Sequence, residues 1–454
     1  MLARFAIVAL MFCCAALAPS ESAFAQIVQN AVGGVKIDTN GVLSSGKALL
    51  DPEVRSRIAQ GLEKTDDQIK STAKLRMISL KGLEAAIAKA NKAGERVSSE
   101  INYMAGLQRI EYIIVEPETN DIILAGPAEG FKLNDQGVVV GSESGSPVIQ
   151  LEDFLVAMRS VDAARSGQGV SVSIDPTEKG IQRLQQFFTS LKNNKRNFEP
   201  SMQAKVEEAM GQQNIRLTGV PVDSRFSQVL VAADYKMKRL GMGLEPAPIK
   251  NFPSFMEIAQ KANASKISSA PRFWMECSYE PIAKSEDGNV WQIRGSGVKT
   301  LTEEEKFDTD GKKTGKKVKQ NRFAQQWAQT MTKRFEELSA AEPAFRELRN
   351  VMDLSVIAAI IKSQGLSKKV GLEMPVILGT EKNKMPSYSV PKAVAAQCSF
   401  VRISKSWLVS ASGGIQLDSW SVAKQTQDVA EVGEVAKLTA TRGESWWWNA
   451  EAKN

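Results

Sequence analysis

Histidine is missing from this chain of 454 residues. Its absence excludes Ser-His-Asp and Cys-His catalysis, the HExxH type of metalloprotease, His-ligated metals and proton transfer by imidazole. A general acid or base would have to be a carboxyl group, a lysine or a tyrosine with a shifted pKa. Any metal would have to be a hard, oxygen-bound cation. Because no motif indicates such a site, we expect neither a metal nor a cofactor.

Cysteine is scarce, with four in the chain. Two of them lie in the apolar N-terminal stretch, which leaves Cys277 and Cys398 in the body, too few for a zinc site of four thiolates. In an oxidising compartment these two residues could form a disulfide. Two buried thiols are the alternative, and both remain open.

Long apolar runs are absent beyond the N-terminus, where the chain reads MLARFAIVALMFCCAALAPSESAFAQ. The apolar run Phe5–Leu17 follows a basic residue and precedes an Ala-x-Ala site, which predicts a signal peptide at 1–25 cleaved before Gln26. A lipid anchor on Cys13 would need a small residue before it, where Phe12 stands. We therefore predict a secreted or periplasmic protein with no transmembrane segment after cleavage.

The remaining sequence alternates strand and helix patterns, and 43% of the chain is apolar. GVKIDTNGVL (34–43) and GFKLNDQGVV (130–139) each predict a β-hairpin. Their similarity is either a weak internal repeat or the same turn chemistry used twice. SLKGLEAAIAKANKAG predicts a helix that begins at Ser79 and ends at Gly94.

These patterns predict an α+β fold of mixed helices and antiparallel β-hairpins, in two packed α+β subdomains with a C-terminal tail. We place the N-terminal domain at 26–198 and the C-terminal domain at 199–420. Within the second domain, the charged segment 303–322 is expected to be a flexible loop. A polar tail, 421–454, ends in the tryptophan triplet Trp446–Trp448.

The stretch VDSRFSQVLVAADYKMKRLGMG is rich in charged residues and admits two interpretations. Its apolar residues form one helical stripe, which predicts a helix capped by Asp223 or Ser224 and stopped by Gly241. Asp234 and Lys238 would then form an i,i+4 pair on the solvent side. The other interpretation is a functional site.

The tail GESWWWNAEAKN holds three of the eight tryptophans of the chain, Trp446, Trp447 and Trp448. Rings of this size are costly to leave in water. They either dock on the chain's own domain or bind a partner. Deleting 443–454 should therefore change the protein more than deleting any other twelve-residue surface segment.

The net charge of +7 is modest for this length and suits contact with an anionic envelope surface. We expect no nucleic-acid partner. The expected partners are an envelope protein or a polysaccharide.

Long strings in the sequence resemble an uncharacterised family of exported proteins, a domain of unknown function best represented in planctomycete bacteria. They include YMAGLQRIEYIIVEPETNDIILAGPAEGF, SIDPTEKGI, TGVPVDSRFSQVLVAADYKMKRLGMGLEP, PRFWMECSYEP and SASGGIQLDSW. The resemblance implies no activity, cofactor or catalytic residue. Cys277 departs from the family pattern, which weakens the disulfide hypothesis.

These observations favour an exported, non-catalytic protein that binds or scaffolds something in the cell envelope. The alternative is a carboxylate-dependent envelope hydrolase acting on glycans, with Asp223, Arg225, Asp234 and Arg294 as its candidates. A third hypothesis is that the protein binds a surface, with the tryptophan triplet inserted in a membrane interface or stacked on sugar rings. We assign no catalytic residue. The candidates for ligand or partner binding are Trp446, Trp447, Trp448, Asp223, Arg225 and Arg294.

Overall fold

The structure, a computed structural model, describes thirteen stretches of the chain. They are residues 32–38, 40–45, 52–135, 137–165, 169–194, 199–262, 270–305, 321–380, 385–397, 399–403, 406–410, 412–443 and 445–450. The predicted signal peptide, most of the charged segment 303–322 and Cys398 lie outside the described residues. The proposed pairing of Cys277 with Cys398 therefore stays a prediction.

Single strands and groups of consecutive strands alternate with helices along the described chain. Their bounds are β1 Val35–Ile37, β2 Val42–Ser45, β3 Ala73–Ser79, β4 Tyr112–Glu116, β5 Asp121–Ala128, β6 Phe131–Leu133, β7 Val139–Gly141, β8 Val170–Pro176, β9 Gln213–Thr218, β10 Ala270–Ser278, β11 Ile282–Lys284, β12 Val290–Gln292, β13 Gly297–Glu305, β14 Ala393–Val394, β15 Ser399–Ile403, β16 Ser406–Ser410, β17 Ser412–Leu417, β18 Thr426–Asp428 and β19 Trp447–Asn449.

The helices include several of a single turn and two long ones, α8 and α12. Their bounds are α1 Pro52–Glu63, α2 Asp67–Lys70, α3 Leu80–Ala93, α4 Ser99–Asn102, α5 Leu151–Arg165, α6 Glu178–Asn193, α7 Gln203–Met210, α8 Arg225–Met242, α9 Phe255–Lys261, α10 Arg322–Lys333, α11 Phe335–Ala341, α12 Pro343–Ser363, α13 Leu366–Val370 and α14 Ser419–Lys424. Segments of 3₁₀ helix cover Met104–Gly106, Pro200–Met202 and Ala430–Thr441.

Two large mixed sheets organise these elements. The eight-stranded sheet has the order β1-β2-β14-β9-β8-β17-β10-β13, and the seven-stranded sheet has the order β18-β11-β12-β4-β5-β3-β19. Most neighbours are antiparallel, while β2 with β14, β10 with β17 and β11 with β18 are parallel. The fold is α+β, which confirms the predicted class.

Both sheets take strands from either side of residue 198, the predicted domain boundary. In the eight-stranded sheet, β8 pairs with β9 and with β17. In the seven-stranded sheet, β12 pairs with β4. The sheets therefore cross the boundary, and the division into two subdomains stays a prediction.

Helices between the sheets form the main core. α8 packs on β8 and β17 of the eight-stranded sheet, while α3 and α13 pack on β5 of the seven-stranded sheet. α12 contacts α5, α8 and α14, and its side chains are buried around its whole circumference. A helix that is buried on all sides is typical of such a central position. No helix in the described part of the chain is long and apolar enough to span a membrane.

Several local predictions are confirmed. The two sequence-similar segments form the antiparallel pairs β1–β2 and β6–β7. The hydroxyl of Ser79 caps α3, and Gly94 ends it in the left-handed conformation. These elements were predictable because their signals lie within a few residues of one another.

The prediction for α8 was right about the helix and wrong about its surroundings. Ser224 is the N-cap, but the helix passes Gly241 and ends before Gly243, which has a φ of +66°. Asp234 and Lys238 do form an i,i+4 pair, yet they lie inside the protein and not on the solvent side. The reason is that α8 is covered on one side by the eight-stranded sheet and on the other by α5 and α12.

The chain after α14 runs across the outer face of the seven-stranded sheet, and we name its described residues 426–443 and 445–450 the C-terminal strap. Its first strand, β18, pairs with β11 at one edge of the sheet, and its last, β19, pairs with β3 at the other edge. The 3₁₀ segment between them packs over β11 and β12. Val432 and Trp448 of the strap and Met77, Ile114 and Val290 of the sheet form a second apolar core.

Candidate functional site

Three helices bring their N-terminal ends together inside the protein. α8 begins at Arg225, because the hydroxyl of Ser224 accepts an N–H of the first helical turn. α5 carries Glu152 and Asp153 in its first turn, a position that favours acidic residues because of the helix dipole. α12 contributes Glu347 from its second turn. The helix starts therefore place three carboxyl groups around one guanidinium.

Arg225 lies at the centre of this group and binds all three carboxyl groups. Its Nη1 donates to Asp153 Oδ2, and its Nη2 donates to Glu347 Oε1. Its Nε lies 3.9 Å from Glu152 Oε1. The side chains of Asp153 and Glu347 are only 4% and 3% exposed. The guanidinium therefore fills the space between two buried acids.

Tyr388, in the chain segment 385–397, contacts this group of charged side chains. Its hydroxyl lies 2.7 and 2.8 Å from the two carboxylate oxygens of Glu152. Its backbone N–H donates to the carbonyl of Asp223, and Ser387 donates to the Asp223 carboxylate. We name Glu152, Asp153, Arg225, Glu347 and Tyr388 the carboxylate cluster. Asp223 lies beside this cluster and anchors the segment that carries Tyr388.

Burial shifts the pKa of every acid in the cluster. It raises the pKa of Asp153 to about 7, although Arg225 opposes the shift. It also raises the pKa values of Glu152 and Glu347, again opposed by Arg225. Burial alone would lower the pKa of Arg225, but Asp153, Glu347 and Glu152 together raise it. The guanidinium stays charged, and Asp153 is the group of the cluster that titrates near neutral pH.

A second ionic group lies farther along α8, where Lys238 Nζ donates to the carbonyl of Ile174 at 2.6 Å and to Asp234 at 3.1 Å. Burial raises the pKa of Asp234 to about 6 and lowers that of Lys238. A cavity beside Lys238, lined also by Tyr235 and Gln213, has room for about one water molecule. This site is too small for an organic substrate.

The tryptophan triplet lies on the chain's own sheet. Trp447 is 4% exposed and packs in the main core, and Trp448 is 5% exposed and packs in the second core. Adjacent residues of a strand face opposite sides of the sheet, so the two rings serve different cores. Trp446 is half-buried against α3, where a Cβ on Gly82 would lie 2.6 Å from that of Trp446.

Of the predicted site residues, the structure brings Arg225 and Asp223 together and leaves the others apart. Arg294 contacts Glu280 and the carbonyl of Pro281 next to the ends of β11 and β12. The tryptophans lie at an edge of that same sheet. The candidate residues therefore do not form one site.

Sequence reasoning missed Glu152, Asp153, Glu347 and Tyr388. Asp153 and Glu347 lie 72 and 122 residues from Arg225 along the chain. The sequence did place acidic residues near the starts of two predicted helices: Glu152 and Asp153 on one, and Glu347 on the other, which is rich in apolar residues. An acid in such a helix needs a buried partner, but the sequence does not say which one.

The arrangement can hold and release protons, and it can fix the relative positions of three helices. In the described ranges, no group of three or more Asp, Glu or Cys side chains is suited to hold a metal ion. The two small cavities we identified are lined by neither Asp153 nor Glu347. Among the described residues, Arg225 contacts Asp153 and Glu347, and Tyr388 contacts Glu152.

The fold and the cluster define an α+β protein with a buried ionic centre where helix ends meet. Residues 172–255 match the model of a family described as a protein of unknown function, DUF1598. This segment is similar to that family and contains Arg225, Asp234 and Lys238, but not Asp153 or Glu347. No curated protein and no solved structure matches the chain.

Proposed function

We propose that this chain is an exported, non-catalytic protein that binds or scaffolds a component of the cell envelope. The observation that carries the proposal is that the guanidinium of Arg225 occupies the space between Asp153 and Glu347. A carboxylate-dependent hydrolase must present its two acids to a substrate, with water or the scissile bond between them. Here protein groups take that place, and the two buried carboxyl groups join three helices through Arg225.

The N-terminal sequence and the charge support the location and the type of partner. The apolar run Phe5–Leu17 and the Ala-x-Ala site favour export, as does the resemblance to exported planctomycete proteins. The net charge of +7 favours an anionic partner, such as an envelope polysaccharide or an acidic envelope protein. Trp446, which is half-buried at the sheet edge, is the aromatic candidate for contact with it.

Export can be tested by expressing the full chain in a bacterium and fractionating the cells. We expect the protein in the periplasm or medium with Gln26 as its first residue. An uncut chain retained in the cytoplasm would contradict the proposal.

Binding can be tested by sedimenting the purified chain from Gln26 onward with isolated envelope polysaccharide. We expect co-sedimentation at low salt that weakens as salt screens the charges. A protein of similar size with a negative net charge is the control. Equal recovery of both proteins in the pellet, or none of either, would count against a specific partner.

The second candidate is a carboxylate-dependent hydrolase acting on glycans. It is favoured by Asp153, because a carboxyl group with a pKa of about 7 has the range of a general acid. If the wild-type chain released reducing sugar from envelope glycans and Asp153→Asn lowered that rate at least ~100-fold, this candidate would replace the first.

A further inference from the structure

The carboxylate cluster contains more acids than bases. The titratable groups that face one another there are Glu152 and Asp153 of α5, Arg225 of α8, Glu347 of α12, and the hydroxyls of Tyr103 and Tyr388. Burial raises the pKa of Tyr103 to about 12, so its hydroxyl stays neutral. With all three carboxyl groups ionised, the single guanidinium would leave two buried negative charges uncompensated.

Two carboxylate oxygens of the cluster lack a donor among the residues that the structure describes. Asp153 Oδ1 and Glu347 Oε2 are buried and make no hydrogen bond within that part of the chain. The backbone of Gly33 favours the ionised form of Glu347, but no group among the described residues donates to Asp153 Oδ1. A buried carboxylate oxygen without a donor is costly. A proton on Asp153 removes one charge and supplies a donor.

We propose that the carboxylate cluster is a proton-binding site, in which the folded chain holds a proton on Asp153 that it releases as the pH rises through neutrality. Loss of the proton leaves the starts of α5, α8 and α12 around an excess of negative charge and weakens their packing. Their helix dipoles offset part of that charge. The inference does not rest on the proposed envelope role.

The direction of the pH effect follows from the pKa of Asp153. The ordinary value is 3.8, and burial raises it to about 7 in the folded chain. Between these values the folded chain holds a proton that the unfolded chain has lost. The contribution of this group to stability is therefore complete below about pH 4 and is lost as the pH rises towards 7.

The absence of histidine makes the effect measurable. No ordinary side chain titrates between pH 5 and 8 when histidine is missing. Shifted carboxyl groups and the α-amino group account for titration in that range. Asp234, with a pKa of about 6, also makes the folded chain less stable as the pH rises. The variants must therefore separate the effect of Asp153 from that of Asp234.

The experiment compares urea midpoints at pH 5.5 and 8.0 for the wild-type chain, Asp153→Asn and Asp162→Asn. Asp162 lies on the same helix but is exposed and paired with Lys362. We expect the wild-type and Asp162→Asn midpoints to fall by the same amount as the pH rises. We expect the urea midpoint of Asp153→Asn to fall by no more than half as much as that of the wild type over the same pH range, because an amide releases no proton. An unchanged fall in Asp153→Asn would overturn the proposal.

A second variant covers the case in which Asp153→Asn does not fold. Glu347→Gln removes a neighbouring negative charge, so the pH dependence should move to lower pH; an unmoved profile would overturn the proposal. If neither variant folds, calorimetric unfolding of the wild-type chain at pH 6 in two buffers of different ionisation enthalpy counts the protons. We expect release of at least about one proton, and a smaller release would overturn the proposal.

Discussion

Two arginines contact the buried tryptophan rings of the strap: one contacts the ring in the main core, and the other contacts the ring in the second core. Arg76 of β3 is fully buried, and its guanidinium donates to four backbone carbonyls and to Asn449 Oδ1 of the strap. Its guanidinium carbon lies 5.4 Å from the ring centre of Trp447. Burial lowers the pKa of Arg76 to about 10, which leaves it charged at neutral pH. The strap thus supplies one hydrogen-bond acceptor and one aromatic ring to the buried guanidinium of Arg76.

Arg442 fixes the strap from the other side of the sheet. It lies 2.9 Å from Asp121, whose side chain is fully buried, and 3.5 Å from Glu116. Its guanidinium carbon lies 5.2 Å from the ring centre of Trp448. One side chain therefore joins the strap to β5 through charge and to the second core through a cation–π contact.

Arg442→Ala should lower the free energy of unfolding by about 2 kcal/mol, because it leaves Asp121 buried without its cation and uncovers one face of Trp448. Asp121 keeps the donors of Ser79, Lys81 and Ile122, which limits the loss. Urea unfolding followed by circular dichroism measures the change.

Lys437→Ala is the matched control for Arg442→Ala. Lys437 is also on the strap, but it is paired with Glu434 where both side chains are mostly exposed. Its loss should change stability by less than about 0.5 kcal/mol. Equal effects of the two substitutions would contradict the role given to Arg442.

At the scale of elements, the long 3₁₀ helix of the strap is explained by apolar residues that recur at every third position. Val429, Val432, Val435 and Leu438 follow one another at every third residue. A 3₁₀ helix has three residues per turn, so these side chains line one face. Val432 is buried in the second core, and the other three are partly buried and pack against it. Such a long 3₁₀ segment is uncommon because its hydrogen bonds are poorer. The sheet face stabilises it by burying its apolar side.

Deleting residues 443–454 should lower the melting temperature more than deleting any other surface segment of twelve residues. The deletion removes β19, two buried indole rings and the Asn449 contact to Arg76. Losing a buried tryptophan typically costs about 3–5 kcal/mol. Thermal unfolding followed by circular dichroism is the measurement.

The control for this deletion is the loss of twelve residues from the predicted charged loop, 309–320. That chain should melt close to the wild type. Equal melting temperatures for the tail deletion and the wild type would show that the rings contribute nothing to the fold. They would leave the partner interpretation of the triplet standing.

At the scale of the whole molecule, neither half of the chain contains all the strands of either large sheet. β8 lies before residue 198, but both of its neighbours among the described strands, β9 and β17, lie after it. α5 lies before that residue and packs on α12, which follows it. The main core is therefore shared between the two predicted subdomains.

We expect that neither 26–198 nor 199–454 folds alone, because each would expose unpaired strands and half of the core. Co-expression of the two pieces should restore a folded complex. Circular dichroism and urea unfolding of each piece test this. Cooperative unfolding of 26–198 by itself would support the predicted boundary instead.

The sequence by itself determined the fold class, both ends of α3, the start of α8 to within one residue, the hairpins and the exclusion of imidazole chemistry. Each of these depends on composition or on residues within one or two turns of one another. A Ser at a helix start or a turn between alternating apolar residues acts locally, whatever surrounds it. The helix of residues 225–242 was predictable for the same reason.

Only the tertiary structure decided which surfaces are buried together. It placed Asp234 and Lys238 inside, although their helix allowed a solvent-facing pair, because a sheet covers that side. It joined Arg225 to acids 72 and 122 residues away, and Arg76 to Asn449 across 373 residues. Such pairs form because the whole chain buries its apolar faces at once, and no short stretch of sequence contains that information.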